Sequence, residues 1–85
     1  MRAWKRSRSF GYMMLLRDIE RSYDLGRREA EGLLDCFHES SGFLEFSNCL
    51  EKRGLTGLLR DEPDVVFLDL KVREHQYSRR YGPIW

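Results

Sequence analysis

The sequence predicts a mostly α-helical fold: a small bundle of three to four short helices with a C-terminal β-strand (α+β) and extended basic termini. Three observations carry that expectation. The chain has 85 residues, enough for one small core and no second folded unit. Apolar residues recur at three- and four-residue spacing in three successive blocks, the period of an amphipathic helix. A last block alternates apolar and other residues in steps of two, the period of a strand.

The first helix follows from Ser9, a residue able to cap a helix, and from Tyr12, Leu15, Leu16, Ile19 and Tyr23, which fall on one stripe. It is expected over Phe10 to Tyr23. Asp24 and Gly26 interrupt the pattern, and Ala30, Leu33, Leu34 and Phe37 resume it as a second helix, with Glu29 and Glu31 near its positive N-terminal end. The run His38 to Gly42 breaks that helix. Ser40 or Ser41 is placed to cap a third, Phe43 to Arg53, whose apolar face is Phe43, Phe46, Cys49 and Leu50 and which stops at Gly54. A short helical turn from Thr56 to Asp61 follows, ended by Pro63. Beyond it Val66, Leu68, Leu70 and Val72 alternate with Phe67, Asp69, Lys71 and Arg73, which reads as a strand over 65–72. The competing reading is a fourth helix with Val65, Leu68 and Val72 as its stripe. The organisation expected is a basic arm over 1–9, a single domain over 10–72 and a basic, aromatic arm over 73–85.

Charge is segregated along the chain. The overall balance is +1, but the first ten residues hold Arg2, Lys5, Arg6 and Arg8 without an acid, and residues from 71 onward hold four bases against Glu74 alone. Gly11 to Leu70 carries seven bases and thirteen acids. Basic ends flanking an acidic body suit an anionic partner, or ends that fold back on the body or onto a second copy.

Catalytic and metal-binding classes find little support. Cys36, His38, Cys49 and His75 lack the paired spacing that sets metal ligands on one turn, and the two cysteines are expected to pack as reduced thiols. His38 is two residues from Cys36 and so faces another side of the helix, away from a would-be nucleophile. No phosphate-binding loop or dinucleotide fingerprint occurs, and no cofactor is expected. The apolar run Phe10 to Leu16 is far short of the roughly 20 residues of a membrane span. With two cysteines and no recognisable signal segment, the expected setting is intracellular, cytoplasmic or nuclear. The acid-free, base-rich start offers a mitochondrial presequence as the alternative.

A lone strand leaves backbone groups unpaired, so an edge at Val66 and Leu68 is expected to pair with a second copy or with another protein. The segments around Trp4, Arg6 and Arg8, and around Tyr77, Arg79, Arg80, Tyr81 and Trp85, interleave bases with aromatic rings, the side chains favoured at protein interfaces. The function expected is therefore a non-enzymatic protein–protein interaction module, an adaptor or inhibitor, with a homodimer among its assemblies. The alternative is a nucleic-acid binder, since the same arms can neutralise phosphates and stack on bases. A helix-turn-helix use of the second and third helices is disfavoured, because Glu45 and Glu51 would meet the groove first.

The segment Ser41 to Leu55 resembles the middle helix segment of death effector domains, helical bundles that assemble through like-with-like contacts. The resemblance covers about fifteen residues. The charged Asp-Leu motif of those domains is absent and the chain is too short for six helices, so the likeness is not carried further. It would imply homotypic protein binding.

Overall fold

The computed structural model describes residues 8–85, and Trp4 and Arg6 lie outside the described residues. Four helices, α1 (Phe10–Tyr23), α2 (Arg27–Glu39), α3 (Phe43–Lys52) and α4 (Pro63–Tyr81), are joined by short links that include one turn of 3-10 helix, Thr56–Leu58. Each helix packs on its neighbour in sequence, and α4 returns to pack on α1, which closes the bundle.

Helix α1 begins where its cap requires. The Ser9 hydroxyl accepts from the Tyr12 amide at 3.0 Å and satisfies one of the free N–H groups of the first turn. At α3 the capping expectation is met differently: Gly42 is the N-cap, and the Ser41 amide and hydroxyl both donate to the Glu45 carboxylate. Those bonds, the backbone one foremost, hold Glu45 below the ordinary carboxylate range.

Tyr12, Leu15, Leu16 and Ile19 of α1 meet Leu33, Leu34 and Phe37 of α2, Phe46 and Leu50 of α3, and Val66, Phe67 and Leu70 of α4 in one core. Phe37, Phe46 and Phe67 form an aromatic triangle with centroids 5.3–6.4 Å apart. Each fully buried Leu or Phe stabilises by about 1.5–3 kcal/mol, and the burial is shared among all four helices.

Three expectations are corrected. Residues 65–72 form no strand; they are the first half of α4. Pro63 starts that helix instead of ending the previous turn, because at the first helical position its missing N–H would have no intrahelical partner. The alternation of Val66, Leu68, Leu70 and Val72 arises because α4 is apolar on two opposite sides, so a step of two finds an apolar residue each time. The second correction concerns 73–85, which is no extended arm. It continues α4 through Tyr81 and turns at Gly82, whose φ of 88° suits glycine. Ile84 then re-enters the core at 4% exposure.

The third correction is covalent. Cys36 and Cys49, expected as reduced thiols, form a disulfide that ties α2 to α3. Their helices are joined by a three-residue link, which brings the two Cα atoms to 5.6 Å, inside the range a disulfide spans.

Candidate functional site

The outer side of α4 is the first candidate. Val65, Leu68 and Val72, at i, i+3 and i+7, are 49%, 64% and 56% exposed, while Val66 and Leu70 on the opposite side are closed to solvent. A helix apolar on both sides suits burial on both sides. Of the two residues expected at a strand edge, Leu68 therefore lies on an accessible face and Val66 in the core. Along the same helix charge runs from acidic to basic: Asp61, Glu62 and Asp64 lie at its start, and Lys71, Arg79 and Arg80 further on.

The expected C-terminal site residues are dispersed. Trp85 is committed to its own chain: its ring stacks on His38 at 4.1 Å, meets Tyr12 edge-on at 5.6 Å, and its indole N–H donates to Glu74. The Ser9 hydroxyl donates to the Ile84 carbonyl at 2.8 Å, so the segment after α4 is fastened to the start of α1. The closeness is marked at Gly11, where an added Cβ would lie 2.8 Å from the Ile84 Cδ1. Arg8 is exposed, with its guanidinium 4.4 Å from the centroid of the Tyr12 ring. Arg79 points to solvent on the outer side of α4.

Between α1 and α4 a polar seam holds the helices in register. The Tyr23 hydroxyl donates to the Asp69 carboxylate. Arg73 donates to Asp69 and Asp18, each at 2.8 Å, and to the Ser22 hydroxyl at 3.0 Å. Ser22, Tyr23, Asp69 and Arg73 line a cleft of about 300 Å³ with Arg60, Asp61 and Val65, and Asp69, Arg73 and Tyr23 there satisfy one another. Burial, then the bond to Asp69, pushes the Tyr23 phenol well above its ordinary value. The disulfide takes Cys36 and Cys49 out of consideration as metal ligands or nucleophiles, and no cluster of three or more metal-ligating side chains occurs among the described residues.

Next to this seam, nearer the end of α4, lies a basic groove of about 440 Å³. Met14, Arg17, Asp18 and Arg21 of α1 form one wall and Tyr77, Arg80 and Tyr81 of α4 the other. Tyr77 and Tyr81 stack at 5.9 Å, and Phe10, 65% exposed, meets Tyr81 edge-on at 5.3 Å. Asp18 is engaged by Arg73, whereas Arg17, Arg21 and Arg80 form no ion pair with a carboxylate of the described residues. Burial and the neighbouring Asp18 raise the Tyr77 phenol. Sequence reasoning singled out Tyr77, Arg80 and Tyr81, and Phe10 as the end of the basic, aromatic segment that starts at Trp4, but missed Arg17 and Arg21. The available signal was their spacing: Phe10, Met14, Arg17 and Arg21 share the side of α1 opposite its apolar stripe.

No helix of the described residues is long and apolar enough to cross a membrane. No family model, curated protein or solved structure matches the chain.

Proposed function

We propose that the chain is a non-enzymatic protein-interaction module that works by self-association through the outer side of α4. The observation that carries this reading is the exposed stripe Val65, Leu68 and Val72 on a helix whose opposite side is already the core. Covering it removes apolar surface from water at about 25 cal/mol per Å².

Charge selects the occupant. A two-fold pairing of antiparallel α4 helices places Val65 beside Val72 of the second copy and Leu68 near Leu68 of the second copy. It brings the acidic start, Asp61 and Glu62, toward the basic end that holds Arg79. A parallel pairing would put like charges together. The self-complementary arrangement is what a two-fold interface demands. Pairing by strand edges has no place in this reading, because the segment is helical.

Sedimentation equilibrium of the full chain tests it, with Leu68→Lys and Val72→Lys as variants and circular dichroism as the check on folding. A dimer in the micromolar range that the variants convert to a monomer of unchanged helix content is the expected result. A monomeric wild-type chain, or a dimer indifferent to both substitutions, would overturn it.

A further inference from the structure

We infer that the groove between α1 and the end of α4 is a binding site for single-stranded nucleic acid. The site is separate from the outer side of α4, and the inference stands whether or not the chain self-associates.

Charge is the first support. Arg17, Arg21 and Arg80 border one groove, and none of them forms an ion pair with a carboxylate of the described residues. The single acid in the lining, Asp18, already accepts from Arg73 at 2.8 Å. Three guanidiniums are thus left uncompensated in a chain whose body is acidic, a concentration of positive charge that suits a polyanion. Arg17 and Arg21 are one helical turn apart, about 6 Å along the axis, so they can engage different phosphates of one strand.

Aromatic surface narrows the choice among polyanions. Phe10 presents an exposed ring against Tyr81, one of the residues that line the groove, and is braced edge-on by it, while Tyr81 is itself stacked on Tyr77. A ring held in place by its neighbours is a ready seat for an unpaired base, and base stacking on such rings is tolerant of sequence. A duplex keeps its bases stacked on one another and would leave Phe10 idle. An acidic peptide would answer the arginines but not the ring. The volume, about 440 Å³, falls within the roughly 300–1,000 Å³ of small-ligand clefts. It is a seat for a few nucleotides of a strand.

The probe is a fluorescein-labelled single-stranded oligothymidylate, titrated with the full chain across a salt series and read by fluorescence anisotropy. A duplex of the same length and vesicles containing phosphatidylserine serve as competing ligands. Saturable binding to the single strand is expected, preferred over the duplex, with a steep loss on adding salt. The double variant Arg17→Gln/Arg21→Gln should lower the slope of log affinity against log salt by about 1.4, the value for two single-strand phosphate contacts. Phe10→Ala should weaken binding at least about fivefold with the salt slope unchanged, because a stacked base is lost and no charge is removed. Arg28→Gln on α2, away from the groove, should change neither quantity.

Any of four results would overturn the proposal: no binding to the oligothymidylate, a duplex bound as well as the single strand and without dependence on Phe10, vesicle binding in place of oligonucleotide binding, or an Arg28→Gln effect equal to that of the groove variants. All variants are exposed substitutions. Matching circular dichroism and thermal transitions separate a lost contact from a lost fold.

Discussion

The Tyr23 hydroxyl donates to the Asp69 carboxylate across 46 residues of sequence, and the Arg73 Nε–H donates to the same oxygen, Oδ2. The bond joins the last turn of α1 to the middle of α4 and fixes their register. Tyr23→Phe removes it while keeping the ring, and should destabilise the fold by about 1–2 kcal/mol in urea unfolding. The pH dependence has a definite sign. The Tyr23 phenol is raised in the folded state, so its contribution is complete below the unfolded value of about 10 and is lost as pH rises beyond it. Tyr12 and Tyr77 are raised as well, burial being the largest cause in each, and add to the same alkaline loss. Stability that falls above about pH 10, less steeply in Tyr23→Phe than in the wild type, is the expected outcome.

The disulfide makes a second prediction. Closing a loop with sequence separation 13 stabilises by about 3 kcal/mol through the unfolded chain. Reduction, or Cys36→Ser with Cys49→Ser, should lower the urea midpoint accordingly, with the helices retained by circular dichroism. A bond that persists belongs to an oxidising compartment, whereas the cytosolic or nuclear setting expected from the sequence keeps thiols reduced. Thiol titration of protein isolated under alkylating conditions decides between them: two blocked thiols favour the cytosol or nucleus, none the oxidising setting.

Tyr12 yields a prediction of opposite sign. Its side chain is 1% exposed and its hydroxyl has no hydrogen-bond partner among the described residues. A buried, unsatisfied hydroxyl costs about 1–3 kcal/mol, so Tyr12→Phe should stabilise the fold by roughly 1 kcal/mol. Calorimetry would register it as a higher Tm, and a lower Tm would mean that the hydroxyl is bonded after all.

How much of this could be read beforehand varies with the kind of signal. Helix α1 was readable to its boundaries because Ser9 and the Tyr12 to Tyr23 stripe are local features that agree with each other. Helix α3 began where Phe43 placed it, within a residue of the expected end. Helix α4 misled for a physical reason. Periodicity reports contrast between two sides, and Val65, Leu68 and Val72 remove that contrast. The disulfide was hidden because thirteen residues of separation say nothing until α2 and α3 are known to fold back on each other. The basic groove was half visible: Tyr77, Arg80 and Tyr81 are adjacent in sequence, but their partners Arg17 and Arg21 come from the other end of the chain.

The fastening of Ile84 to Ser9 has one more consequence, for topology. The two ends of the helical body adjoin, so the order of the helices is cyclic and its starting point is arbitrary. A permuted chain that runs from the 3-10 turn at Gly57 through α4, crosses a short glycine bridge to α1 and finishes after α3 would give up that one turn and keep all four α-helices and the disulfide whole. Gly57 is exposed and an added Cβ there would meet nothing within 4 Å, which marks it as a place where the circle can be cut.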